Sequence, residues 1–130
     1  MARIHKTVWQ IANTSDPNHP AVFPVEIPRR LIKLFSFCGE TVLDPFGGTG
    51  TTAVAAIELG RRGVCVEQNS DYAKIIRRRC HALSNGEDHA QVILGDSCNM
   101  EILADDSVGL VVTSPPYWNK ADYGKGDENV

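Results

Sequence analysis

The chain has 130 residues, 42% of them hydrophobic, and a formal net charge of −3, which suits one globular domain over 1–130 with a modest core and no transmembrane stretch, signal peptide or low-complexity tract. Its charge is uneven, with 11 basic and 7 acidic residues up to Cys80 against 2 basic and 9 acidic in the last fifty. An acidic chain is a poor stand-alone binder of nucleic acid, because phosphate neutralisation provides most non-specific affinity.

In chain order, the first predicted element is a helix over 28–37, preceded by His19-Pro20-Ala21-Val22-Phe23-Pro24. Glu40-Thr41-Val42-Leu43-Asp44-Pro45-Phe46-Gly47-Gly48-Thr49-Gly50-Thr51-Thr52 then reads as a strand, a glycine-rich turn and a helix start. Its glycines permit positive φ and close approach of backbone to a ligand, and Thr51 and Thr52 can cap a helix running to Leu59, which Gly60 closes. No Gly-Lys-Ser/Thr follows, so this is not a phosphate loop, and it lacks the Gly-x-Gly-x-x-Gly dinucleotide pattern. Asp44 leads the loop instead, and a carboxylate there suits a cationic, amino-acid-like ligand better than a pyrophosphate.

Arg62-Gly63-Val64-Cys65-Val66-Glu67 reads as a second strand. It ends in a carboxylate about 20 residues past the glycine loop, the spacing at which an acid can bond ribose hydroxyls. A helix over 71–83 follows, with Tyr72, Ile75, Ile76, Cys80 and Leu83 on one face and Gly86 after it, Asn69 and Ser70 being read as caps. Arg77-Arg78-Arg79 near its end reads as a solvated face that complements the helix dipole. Residues 91–94 form a third strand, and Gly95-Asp96-Ser97 follows it.

Residues 110–112 read as a short buried strand, which the prolines of Thr113-Ser114-Pro115-Pro116-Tyr117-Trp118 must stop, since proline cannot donate to a sheet ladder. That loop lies at a strand's C-terminal end, where open α/β sheets bind ligands. It offers carbonyls, a hydroxyl and a flat ring, which suit a planar base bearing an exocyclic amine: the oxygens accept from the NH2 and Tyr117 stacks on the ring.

Together the two loops resemble the DNA amino-methyltransferases. Asp44-Pro45-Phe46-Gly47-Gly48-Thr49-Gly50 is similar to their cofactor loop and Ser114-Pro115-Pro116-Tyr117 to their catalytic loop. His19 to Pro24 resembles the segment flanking the methionine end of the cofactor, and Val8-Trp9 the stretch leading into it. The resemblance implies a Rossmann-like α/β fold that binds S-adenosylmethionine, with the strands forming the cofactor half of the sheet in the order third, second, first, fourth. It implies a cofactor site of Phe23, Pro24, Asp44, Pro45, Phe46, Gly47, Gly48, Thr49, Gly50, Thr51, Glu67, Gln68, Asp96 and Ser97, with Glu67 on the ribose and Asp96 accepting from the cofactor's adenine amine. Asp96 is also read as a helix cap, a role that can hold together with the adenine contact.

The implied activity is methyl transfer to the N4 amine of cytosine in DNA, serine at the head of the loop favouring cytosine and aspartate being commoner for adenine. N6 of adenine, an RNA or protein amine, and a cofactor-binding subunit inactive without a partner are the alternatives. The target base would be flipped out of the duplex, stacked on Tyr117, and held by Ser114 and the Pro115 carbonyl. No cysteine follows a proline in this loop, which argues against carbon-5 methylation through a thiolate. Cys38, Cys65, Cys80 and Cys98 are widely spaced and read as reduced core residues of a cytoplasmic protein, neither a zinc site nor a disulfide frame. His5, His81 and His89 read as surface residues. Complete members of the family continue past the catalytic loop with further strands and a target-recognition region. This chain therefore looks partial, split or circularly permuted, and a second polypeptide or a second copy is expected to complete the sheet.

Overall fold

The computed structural model describes residues 7–15, 17, 22–85, 87 and 89–116. Their elements run α1 Glu26–Phe35, β1 Thr41–Asp44, α2 Thr51–Glu58, β2 Arg62–Glu67, α3 Ser70–Leu83, β3 Ala90–Leu94 and β4 Leu110–Val111. The four strands form one sheet in the order β3-β2-β1-β4, and every pairing is parallel. This is the expected order. In it β1, β2 and β3 step outward one by one through the helical crossovers α2 and α3, and β4 lies on the other side of β1.

Strand side chains alternate between two buried faces. On one face Val42 packs with Ile32, Ala55, Ala56 and Val112, and Cys65 packs with Ala53, Ile76 and Cys80, so α1, α2 and α3 cover it. On the other, Leu43, Val64 and Val66 meet Met100, Leu103 and Val108, which belong to the irregular segment between β3 and β4. Gly63 lets α2 approach β2 closely, since a Cβ there would lie 3.0 Å from the Ala53 Cα.

Several sequence expectations are corrected. The first helix begins at Glu26 and ends at Phe35 because Pro28 sits in its first turn, where an amide hydrogen has no helical partner to lose. Thr51 and Thr52 do not cap α2. Its N-cap is Gly50 with φ of 86° and no side-chain cap bond, and the Thr52 hydroxyl instead donates to the Val112 carbonyl at 3.4 Å. Gly60 does close the helix, at φ of 73°, donating to the Ile57 carbonyl.

Asn69 alone caps α3, its Oδ1 accepting from the Asp71 and Tyr72 amides, while Ser70 is the first helical residue. Asn85 takes a left-handed conformation after that helix, and Gly86 lies outside the described residues. The buried face of α3 is Ala73, Ile76 and Cys80, with Leu83 40% exposed because the helix runs past the sheet there. The expected strand over 110–112 is reduced to two residues. Val111 is 53% exposed, since among the described residues β4 is paired on one side only. Cys65 and Cys80 are buried free thiols, but Cys38 and Cys98 are exposed, lying in turns rather than in elements. His81 is exposed, and the half-exposed His89 meets Glu87 at 2.7 Å.

Candidate active site

The sheet reverses its winding between β1 and β4, and the loops after these two strands open at the same edge. In doubly wound sheets that reversal is where ligands bind. Asp44, the last residue of β1, is 1% exposed. Its Oδ1 accepts from the Phe46 amide at 3.0 Å and from the Thr113 hydroxyl at 2.7 Å. Burial pushes its pKa up to about 6, against the pull of the Thr113 and Phe46 bonds and with a smaller rise from the charge of Glu67.

The glycine loop is held on three sides. Gly47 donates to the Val66 carbonyl at 2.9 Å and Gly50 to that of Gly47 at 2.8 Å. The Glu67 carboxylate at the end of β2 accepts from the Gly48 amide through Oε2 at 2.8 Å and from the Asn69 amide through Oε1 at 2.8 Å. From behind, α3 presses Ile76 against the loop, so a Cβ at Gly50 would meet Ile76 Cγ2 at 2.9 Å. Arg79 on the same helix donates to the Thr49 carbonyl at 2.6 Å and reaches the Thr49 hydroxyl at 3.3 Å. Within the loop Pro45 and Thr51 are half-buried, Phe46 is exposed and Thr49 is buried.

At the end of β3 the Gly95 amide donates to the Glu67 carbonyl at 3.0 Å, which brings Asp96 beside the β2 turn. Asp96 is exposed and its Oδ1 accepts from the Cys98 amide at 2.8 Å. That bond, then the Cys98 thiol and last the Gln68 side chain, hold its carboxyl below the usual range. The amide bond closes a turn and not a helix, so the capping role does not hold. Ser97 next to it is half-buried. Asp44, the glycine loop, Glu67, Gln68, Asp96 and Ser97 therefore share one sheet edge.

Phe23 and Pro24 are half-buried ahead of α1, where the Pro24 carbonyl accepts from the Ile27 amide at 3.0 Å. In the other loop Ser114 is half-buried and Pro115 and Pro116 are exposed. Tyr117, His19, Pro20 and Ala21 lie outside the described residues.

Three side chains to which the sequence reading gave no role at the site shape this edge. Thr113 and Thr52 fasten the start of the Ser-Pro-Pro loop to β1 and α2, and Arg79 is tied to the loop rather than solvated. A hydroxyl next to a strand-end motif is the only trace of the first in the sequence. Arg79 has none, because its partner is a backbone carbonyl 30 residues away.

The donor set fits a ligand with a cationic amino-acid end, a diol and an amine-bearing ring. A buried carboxylate faces one end of the edge, a carboxylate oriented by two amides stands in the middle, and an exposed acid stands at the other end. Residues 2–78, more than half of the chain, match a family model described as DNA methylase. The chain belongs to the N6/N4 DNA methylase family.

Among relatives of this family, the Type II methyltransferase M.MjaI of Methanocaldococcus jannaschii is 46% identical over 78 residues, which cover 55% of this chain and 25% of that protein. The DNA adenine methyltransferase YhdJ of Escherichia coli is 41% identical over 68 residues, covering 52% and 23%. The solved structure of Thermus thermophilus TTHA0409 complexed with S-adenosyl-L-methionine superimposes with a TM-score of 0.58 at 38% identity, over 72% of this chain and 36% of that one. The chain thus spans about a quarter of the length of M.MjaI. The fold is the Rossmann-like one of S-adenosylmethionine-dependent methyltransferases.

Proposed function

We propose that this DNA methylase chain binds S-adenosylmethionine, the family's cofactor, and directs its methyl group to the N4 amine of cytosine in DNA. The observation that carries the reading is the meeting, at one sheet edge, of the Asp44-led glycine loop and the Ser114-Pro115-Pro116 loop, joined by the Thr113–Asp44 hydrogen bond of 2.7 Å. A cofactor loop and an amine-directed loop fixed to each other can hold a methyl donor and an acceptor in one geometry, and such positioning is worth on the order of 7–11 kcal/mol of barrier.

In this reading Asp44, with Phe23 and Pro24, faces the cationic methionine end. The backbone of residues 45–51 lies against the cofactor, and Glu67 accepts from the ribose hydroxyls. Its two oxygens already accept one amide each, and each retains a second lone pair for a hydroxyl donor. Gln68, Asp96 and Ser97 take the adenine end, with Asp96 accepting from the ring amine. Bound there, the cofactor would supply an electrophilic sulfonium methyl; the exocyclic nitrogen bonds to that carbon in line as its bond to sulfur breaks, S-adenosylhomocysteine leaves, and the proton lost from the amine passes to solvent. Ser114 and the Pro115 carbonyl accept from the amine and raise the electron density on its nitrogen. Tyr117 stacks on the flipped base, worth roughly 1–3 kcal/mol.

N6 of adenine is the second reading, favoured by the 41% identity to YhdJ, a DNA adenine methyltransferase. The net charge of −3 and the side of β4 that is unpaired among the described residues support a further proposal: another polypeptide or a second copy pairs with that strand and supplies the basic surface that grips duplex DNA. A DNA substrate implies a cytoplasmic protein.

Two measurements test the reading. Titration calorimetry of the chain with S-adenosylhomocysteine should show binding that Glu67→Ala weakens, and no heat at millimolar ligand from folded protein refutes the cofactor site. Transfer of labelled methyl to duplex DNA, by the chain alone and with a polypeptide carrying later strands of the family's sheet added in trans, followed by nucleoside analysis, separates N4-methylcytosine from N6-methyladenine. Label appearing only in RNA or protein refutes the DNA assignment.

A further inference from the structure

Thr113 precedes the expected catalytic residues and has so far been given no role in the reaction. Its hydroxyl nevertheless makes the closest polar contact to Asp44, across 69 residues of sequence. We propose that Thr113 is a positioning residue that couples the two loops: by donating to Asp44 it makes occupation of the amino-acid end of the cofactor site and ordering of the Ser114-Pro115-Pro116 segment favour each other. This rests on the cofactor assignment above.

The groups around Asp44 define what the coupling can be. The Phe46 amide and the Thr113 hydroxyl are neutral donors, the Thr52 hydroxyl is a neutral neighbour, and Glu67 and the Cys65 thiol approach it from β2. Among the described residues no cation is one of these neighbours, and hydrogen bonds from them offset the carboxylate's desolvation. A ligand ammonium placed beside it favours the ionised form, and a hydrogen bond to an ionised carboxylate is about twice as strong as one to a neutral acceptor.

The Thr113 bond therefore tightens when a cationic ligand arrives, and it lies one residue before Ser114. Thr52 holds the preceding residue through the Val112 carbonyl, and Val112 itself donates to the Leu43 carbonyl at 3.0 Å. The chain is thus anchored up to Val112 by bonds that do not involve Asp44, and Thr113 is the first position at which Asp44 can act on the loop. Linkage requires the effect to run both ways: whatever orders the loop raises ligand affinity by the same factor.

The test compares two ligands on wild type, Thr113→Val and Thr113→Ser. S-adenosylhomocysteine carries the amino-acid end, and 5′-methylthioadenosine has the same nucleoside without it. Loss of a hydrogen bond to a charged group predicts roughly tenfold weaker S-adenosylhomocysteine binding in Thr113→Val. Methylthioadenosine affinity should be unchanged, and Thr113→Ser should restore the wild-type value.

In wild type, S-adenosylhomocysteine affinity should rise as pH increases through the Asp44 transition near 6, and in Thr113→Val that rise should move to higher pH. Amide exchange at Ser114 should be slowed by S-adenosylhomocysteine in wild type and not in Thr113→Val. Equal loss of both ligands in Thr113→Val, or no loss of either with unaltered exchange, overturns the coupling while leaving the cofactor site standing. Failure of wild type to bind either ligand overturns the cofactor assignment, and the inference with it.

Discussion

Replacing Asp44 by asparagine removes a buried charge and keeps the side chain's shape and its Oδ1 acceptor. In the wild type burial raises the carboxyl from its ordinary 3.8 to about 6, so the folded state holds its proton more tightly than the unfolded chain does. The sign follows. Below about pH 4 both states are protonated and the group costs nothing. Between about 4 and 6 the unfolded chain ionises first, and stability falls as pH rises. Above about 6 the full cost is present, and the difference of about two pH units at about 1.4 kcal/mol each corresponds to about 3 kcal/mol. Roughly 2 kcal/mol of this accumulates between about pH 4.5 and 7.5.

Asp44→Asn should be free of this dependence. Its Oδ1 still accepts from Phe46 and Thr113, and its new amide protons face the Thr52 hydroxyl, which already contacts Asp44. The variant should be more stable than wild type near pH 7.5 by up to about 3 kcal/mol and closer to it near pH 4.5. Urea unfolding of both proteins at the two pH values measures the difference. Asp96 and Glu26 are held low by the Cys98 amide and Arg30 respectively and weaken the fold as pH falls, but they contribute equally to both proteins and cancel. The same variant should lose most of its S-adenosylhomocysteine affinity, since a site that pays to bury a carboxylate does so for its ligand. Parallel pH profiles for the two proteins, or an asparagine variant less stable near pH 7.5, would refute the reasoning.

Gly50→Ala should cost at least about 2 kcal/mol in urea unfolding, because its φ of 86° and the 2.9 Å approach to Ile76 combine backbone strain with overpacking; an unchanged midpoint would show that the loop and α3 can separate freely. Arg79→Ala should weaken S-adenosylhomocysteine binding roughly tenfold by releasing the Thr49 carbonyl, with Arg79→Lys intermediate because it keeps the charge. Calorimetry giving wild-type affinity for both would mean that the loop holds itself.

Much of the fold was legible in the sequence because its signals are local and repeated. Apolar runs ending at Asp44, Glu67 and Leu94, alternating with helical stretches, specify parallel strands and crossovers, whereas the order β3-β2-β1-β4 was implied by the family resemblance. The Asp44-Pro45-Phe46-Gly47-Gly48 and Ser114-Pro115-Pro116 loops were legible for the same reason, each being a contiguous run at a strand end. Boundaries were less so. Pro28 looked like a start when it was the third residue of a helix, and Thr51 looked like a cap although Gly50 holds that position in a left-handed conformation which its packing against Ile76 requires.

What only the tertiary structure decided is which polar groups meet across the edge. Thr113 reaches Asp44 and Arg79 reaches Thr49 over 69 and 30 residues, and no periodicity or spacing encodes such pairs. They exist because the register Leu43↔Val111 sets the end of β4 beside the end of β1, and because α3 lies against the back of the glycine loop. Strand and helix propensities are decided residue by residue, whereas the energy of a buried carboxylate depends on every donor that the packed chain brings within about 3 Å.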